Sequence, residues 1–162
     1  SPFEIYNFPA TPFVASFVGT LNAIAARIVD PASGRLTIGG REIRTTSAIT
    51  GASGEAVGVA MRPEMITLVE GAVGDVAPGR NVVPAHVTDV AFLGSVVRFS
   101  VRVGEGDEAA IISVDTFNNP NLAVPPIGSP VSITFPPEAC LVLGKEAAHV
   151  TTDALAAAEA LL

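Results

Sequence analysis

The chain has a single lysine, Lys145, and it nowhere contains the pattern Gly-x-x-x-x-Gly-Lys-[Ser/Thr]. That loop surrounds the phosphates of a nucleotide with backbone N–H groups and depends on its lysine. A phosphate-binding loop is therefore excluded from this sequence. We expect these 162 residues to have no ATPase activity and no bound cofactor.

Tryptophan is absent, and acidic residues outnumber basic ones by 16 to 9, which gives a net charge of −7. A barrel that binds nucleic acid needs a basic groove and aromatic platforms on which bases stack. The composition therefore argues against nucleic acid as a partner.

Only one cysteine, Cys140, is present, so the chain cannot form an internal disulfide. It stands in the apolar run 139–142, where a buried and inert thiol is expected rather than a nucleophile. The lack of disulfides is typical of a reducing compartment, and we expect a cytoplasmic location. No apolar run approaches the length needed to cross a bilayer.

Patterns for metals and for nucleophilic catalysis are also missing. The two histidines, His86 and His149, have no partner at metal-ligand spacing, and no Gly-x-Ser-x-Gly elbow occurs. We predict neither a metal site nor a catalytic residue. His86 is expected to lie on a strand with its ring facing solvent.

From residue 21 onward, short alternating segments are separated by turns rich in glycine and proline. Over 97–103, valine and phenylalanine alternate with arginine and serine, as in a strand with one wet face. Further strands are predicted at 21–30, 35–38, 41–44, 57–61, 65–69, 87–93, 110–114 and 131–135. Short strands, many turns and no βαβ rhythm predict a mainly β fold, a small antiparallel barrel.

Two stretches, 57–68 and 131–143, repeat one pattern: an alternating strand, a Pro-Glu step and a second short strand. The glutamates of the two steps are Glu64 and Glu138. Proline interrupts ladder pairing and redirects the chain. Each step is therefore predicted to be a corner at which the chain passes from one sheet to another.

The first nineteen residues have a different character. Ser1-Pro2-Phe3-Glu4 has the form of a helix capping box, and Thr11-Pro12 repeats the cap-then-proline start. Half of the eight phenylalanines and the only tyrosine lie here. Helices this short need a surface to pack on. Because the chain also lacks an initiator Met, we expect this segment to end one module of a longer protein.

This segment resembles the end of the nucleotide-binding domain of importer-type ABC ATPases, through the runs 4–6 (EIY), 13–15 (FVA) and 17–19 (FVG). Further along, residues 59–64 (VAMRPE) and 90–95 (VAFLGS) are similar to a strand and a turn of the transporter-associated OB-type (TOBE) domain.

The resemblance extends to 131–143, which is similar to the closing strand of that domain. It implies helices of a missing ATPase domain over 1–19, an OB-like (TOBE/MOP-like) antiparallel barrel over 20–144 and a helical or disordered tail over 145–162. Phe92 and the run 135–139 (FPPEA) favour the polyamine or iron importer branch.

The same resemblance implies a function. The chain would be the C-terminal regulatory and dimerisation domain of an ATP-binding subunit that drives solute import. Its partners would be a second copy of the subunit, membrane permease subunits reached through the missing domain, and a small-molecule or oxyanion effector. ATP and Mg would belong to the parent protein, which would sit at the inner face of the plasma membrane.

Six residues are candidate interface or ligand positions: Arg62, Glu64, Gly94, Ser95, Arg98 and Glu138. The charged ones can bridge subunits or frame an oxyanion pocket, or they can form local salt bridges of little energetic weight. The Gly94-Ser95 turn can offer N–H groups to an anion, or it can be a plain hairpin turn.

Two further function classes stay open at this point. One is a stand-alone cytosolic barrel that binds an oxyanion such as molybdate, as other proteins with this fold do. The other is an OB-fold that binds nucleic acid, which the acidic balance disfavours.

Overall fold

Ten β-strands in two antiparallel sheets make up the part of the chain that this computed structural model describes, residues 21–70 and 78–143. The helices expected over 1–19 and the tail expected over 145–162 lie outside the described residues. The predicted mainly β, OB-like fold is confirmed. The strands are β1 (Asn22–Asp30), β2 (Arg35–Ile38), β3 (Arg41–Arg44), β4 (Ala56–Met61), β5 (Thr67–Glu70), β6 (Asn81–Leu93), β7 (Val96–Val103), β8 (Ala110–Phe117), β9 (Pro130–Phe135) and β10 (Leu141–Val142).

The two sheets have the same internal connectivity. In the first sheet the strand order is β10-β4-β1-β2-β3, and in the second it is β5-β9-β6-β7-β8. Each sheet therefore consists of a three-strand meander, the strand that follows the meander, and one short strand contributed by the other half of the chain.

The exchange of the short strands takes place at the two Pro-Glu steps. A 3₁₀ turn at Pro63–Met65 leads from β4 in the first sheet to β5 in the second. A second 3₁₀ turn at Pro137–Ala139 leads from β9 in the second sheet back to β10 in the first. The prediction that each step is a corner between sheets is confirmed.

Alternation along the strands places the core between the sheets. On β7, Val97, Phe99, Val101 and Val103 are at most 1% exposed, whereas the residues between them face outward. Phe99 and Phe135 are the largest fully buried side chains. Burial of such a side chain stabilises the fold by about 1.5–3 kcal/mol.

Three predicted boundaries are wrong by two residues or more: β5 begins at Thr67 and not at 65, β8 ends at Phe117 and not at 114, and the start of β6 differs most. The strand expected to begin at Val87 begins at Asn81 and contains Pro84. Over 81–85, β6 pairs with β9 alone, and its pairing with β7 starts at His86. Proline is tolerated there because one side of the strand has no ladder bonds to lose.

Candidate functional site

The groove between the two corners brings two of the predicted site residues together. Because β10 pairs with β4, the Pro137–Ala139 corner lies beside the end of β4. Arg62, only 8% exposed, and Glu138 line this cleft of about 620 Å³. We call it the corner groove. Its other lining residues are mostly apolar or carry hydroxyls, among them Met61, Met65, Leu141, Val142, Thr45, Thr46 and Ser47.

Cys140 lies in the wall of the corner groove, where it is half-buried. Burial, reinforced by the nearby Glu138 carboxylate, raises the pKa of its thiol to about 12. The Cys140 Sγ atom lies 3.8 Å from the Met61 Sδ atom. Cys140 is thus half-buried and not fully buried as expected, and because the thiolate is the nucleophilic form, its inertness stays a prediction.

Arg98 forms an ion pair with Asp115 on the outer face of the second sheet. Arg98 is directly opposite Asp115 in the β7–β8 register, and their side chains form two parallel hydrogen bonds of 2.7 and 2.8 Å. The Asp115 partner raises the pKa of Arg98, and the Glu64 charge adds to this. Glu64 itself is an exposed residue of the Pro63–Met65 corner.

Asp115 was not singled out from the sequence, although a signal for it exists. If β7 and β8 pair with Val103 opposite Ala110, counting five residues back along β7 and five forward along β8 sets residue 98 against residue 115. A basic residue opposite an acidic one on the wet face of an antiparallel pair is a favourable cross-strand contact.

Gly94 and Ser95 form the two-residue turn between β6 and β7. Gly94 adopts φ 77°, a left-handed conformation that favours glycine. The backbone N–H of Asn118 donates to the Ser95 carbonyl at 2.8 Å, and its Nδ2 donates to the Gly94 carbonyl at 3.0 Å. The turn is thus fixed by the chain segment that follows β8.

Three large apolar side chains are exposed around this turn: Phe92 is 64%, Leu93 53% and Phe117 70% accessible. Leu93 and Phe117 flank Val96 in one row across β6, β7 and β8. Leu93 and Phe117 are called the tip patch below, whereas Phe92 pairs with Val97 and points to the other face of the hairpin. No sequence pattern predicted the tip patch as a site.

Within residues 21–70 and 78–143, no three His, Cys, Asp or Glu side chains gather as metal ligands would. The described stretch also has no helix long and apolar enough to cross a membrane.

Comparison with known proteins gives a family and a set of relatives. A family profile described as "TOBE domain" matches residues 59–143. The spermidine/putrescine import ATP-binding protein PotA of Rubrobacter xylanophilus is 31% identical over 148 residues, covering 88% of this chain and 37% of that protein. The Fe(3+) ions import ATP-binding protein FbpC 2 of Rhizobium meliloti is 30% identical over 155 residues, covering 90% and 38%.

A third relative extends the match further along this chain. The spermidine/putrescine import ATP-binding protein PotA 1 of Pseudomonas aeruginosa is 28% identical and covers 94% of this chain but 37% of its own length. These relatives belong to the polyamine and iron branches that the sequence motifs favoured. The chain spans little more than a third of their length.

Among solved structures, the cytoplasmic molybdate-binding protein ModG with molybdate bound has a similar fold. The TM-score is 0.54 at 10% sequence identity, and the match covers 75% of this chain and 94% of that one. At this identity the likeness concerns the fold alone.

Proposed function

The chain belongs to the TOBE domain family, and from this premise we propose that it is the C-terminal regulatory and dimerisation domain of the ATP-binding subunit of an ABC importer. One observation carries the proposal. The import ATP-binding relatives align over about nine-tenths of this chain but over little more than a third of themselves. The remaining length of such a protein is where a nucleotide-binding domain would lie.

In this proposal the sequence indicates which part of the parent protein binds the nucleotide. ATP and Mg bind to the rest of the parent protein, because these 162 residues contain no phosphate-binding loop. The subunit would work at the cytoplasmic face of the membrane with permease subunits. The names of the relatives support a polyamine or ferric iron as the solute.

The tip patch is the surface we assign to the second copy. Leu93 and Phe117, each more than half exposed, lie on one face at the end of a paired and hydrogen-bonded hairpin. Aromatic side chains are enriched at protein interfaces, and a two-fold dimer buries the same patch on both subunits. The net charge of −7 on each copy disfavours a contact made by charged surfaces.

The reading frame immediately upstream of Ser1 tests the main proposal. It should encode a phosphate-binding loop. A stop codon there, followed by a start codon immediately before the Ser1 codon, would overturn the proposal. As a second arm, the purified chain incubated with Mg-ATP should show no turnover. Metal-dependent hydrolysis that survives repurification would contradict the assignment of ATPase activity to the missing part.

The alternative is a stand-alone barrel that binds an oxyanion, favoured by the fold shared with a molybdate-binding protein. The two functions differ in what calorimetry of the chain with sodium molybdate should show. The alternative requires saturable molybdate binding at defined stoichiometry that excess sodium phosphate does not displace, whereas a regulatory domain without a molybdate site shows no such binding.

A further inference from the structure

A second cleft lies where the turns of the two halves of the barrel meet. The β2–β3 turn at Gly39-Gly40 approaches the end of β7 so closely that a Cβ atom on Gly104 would lie 2.7 Å from the Gly39 Cα atom. Both glycines have positive φ, 57° and 71°. Side chains are therefore excluded at the point where Gly39 and Gly104 meet. We call this space of about 330 Å³ the turn cleft.

Three side chains that can carry positive charge line the turn cleft: Arg41, His86 and Arg102. Arg41 opens β3, just after the glycine turn. His86 and Arg102 are direct cross-strand partners on β6 and β7, and both are exposed. Two halves of the chain thus bring their cationic groups to one place in a protein of net charge −7.

The two arginines of the turn cleft differ from the other arginines in having no protein partner among the described residues. Six of the eight arginines in residues 21–70 and 78–143 are engaged by other protein groups: Arg27, Arg35, Arg44, Arg62, Arg80 and Arg98. The side chains of Arg41 and Arg102 form no ion pair or hydrogen bond with another described residue. The two guanidinium groups left over line the same cleft.

We propose that the turn cleft binds a phosphate group, free or on a small organic ester. Planar guanidinium forks bind phosphate oxygens through paired, charge-assisted hydrogen bonds. The imidazole of His86 supplies a further N–H donor. The cleft volume lies within the range of small-ligand sites. Glu105 at the cleft adds one negative charge that opposes the ligand. The site does not depend on the importer proposal, because it concerns this chain alone.

Titration calorimetry of the full chain with sodium phosphate tests the site, with sodium chloride at equal ionic strength as the control for screening. Wild-type protein should bind one phosphate saturably. Arg41→Gln and Arg102→Gln should each weaken binding by about tenfold, since each removes a charged hydrogen-bond donor. Glu105→Gln should strengthen it by about threefold, because it removes a repulsive charge.

Arg27→Gln is the matched control, since Arg27 is an exposed arginine in an ion pair with Glu108 outside the cleft. Its phosphate affinity should equal that of wild type. The proposal fails if phosphate gives only the heats seen with chloride, if Arg27→Gln weakens binding as much as Arg102→Gln, or if both cleft variants bind like wild type. Glycerol 2-phosphate in place of phosphate distinguishes the sources: tighter binding identifies an ester, and weaker binding identifies the free ion.

Discussion

Asn22 and Asn81 make the same contact on opposite sides of the barrel. The Asn22 carboxamide, on β1, accepts from the Ser113 backbone N–H at 2.7 Å and donates to its carbonyl at 2.8 Å. Asn81, on β6, forms the equivalent pair with Arg44, both at 2.8 Å. Ser113 and Arg44 lie on β8 and β3, the edge strands of the opposite sheets. Each asparagine thus binds the backbone N–H and C=O of one residue on an edge strand. Unpaired groups of this kind could otherwise pair with another chain.

Asn22→Ala and Asn81→Ala should each lower the free energy of unfolding by about 2–4 kcal/mol, because each leaves a backbone N–H and a C=O without a partner. Both asparagines are no more than 7% exposed, so water cannot readily replace the carboxamide. Urea denaturation followed by circular dichroism measures the change. Asn121→Ala, at an exposed loop position, is the control and should change stability by less than about 0.5 kcal/mol. An equal loss of unfolding free energy at all three positions would contradict the stabilising role of the two asparagine contacts.

The sequence predicted the strands well because most of them carry their own period-two pattern. Val97 to Val103 on β7 needs no long-range information, and the two Pro-Glu corners follow from proline chemistry and repetition. The contacts of Asn22 and Asn81 could not be predicted in this way. Each reaches a residue on the other sheet, 91 or 37 positions away, so its role appears only when the sheets close.

The candidate site residues likewise fall into those that local sequence predicts and those that depend on the assembled fold. Arg62 and Glu138 were selected because each adjoins a corner, and the fold places both corners at one groove. Arg98 was selected without Asp115, since its partner depends on strand register. The tip patch and the turn cleft were missed because exposure at a hairpin end and the meeting of two turns are properties of the assembled barrel. The functional roles of the six predicted residues stay predictions.

The Arg98–Asp115 pair should show a coupling free energy of about 1–2 kcal/mol, because its two hydrogen bonds are charge-assisted and partly shielded from water. A double-mutant cycle with Arg98→Met and Asp115→Asn, measured by urea denaturation, gives this value. The coupling free energy should decrease in 1 M salt, because salt screens the two charges. The matched control is Arg35–Glu42, whose side chains are 41% and 50% exposed and whose coupling should stay below about 0.5 kcal/mol. A weaker coupling for Arg98–Asp115 than for this control would contradict the prediction.

Cys140 should react slowly with thiol reagents. With its pKa raised to about 12, about one thiol in ten thousand is ionised at pH 8. Alkylation by iodoacetamide should be at least about a hundredfold slower than for a free cysteine peptide and should keep rising above pH 9. A rate that levels off near pH 9 would show an ordinary, accessible thiol.

The same raised pKa predicts a pH dependence of stability. Since the folded state holds the thiol proton more tightly than the unfolded state, the stabilising contribution is full below pH 9 and is lost as pH rises towards 12. Cys140→Ala removes this contribution, so the stability difference between wild type and variant should narrow across that range. An unchanged difference from pH 8 to pH 11 would contradict the prediction.

The tip patch should control self-association of the chain. Phe117→Ser removes an aromatic side chain whose burial in a dimer contributes about 1.5–3 kcal/mol per copy, so the dimer should weaken by more than about tenfold in sedimentation equilibrium. Ile111→Ser is the matched control, because Ile111 is 57% exposed on the same outward face of β8 but six residues from Phe117. If the tip patch is the interface, this control leaves the dimer intact. A monomeric wild type at high concentration, or equal weakening by both substitutions, would remove the tip patch from the interface. The register explains why one position is decisive: Phe117, Val96 and Leu93 form a single apolar row, which a polar residue at 117 interrupts.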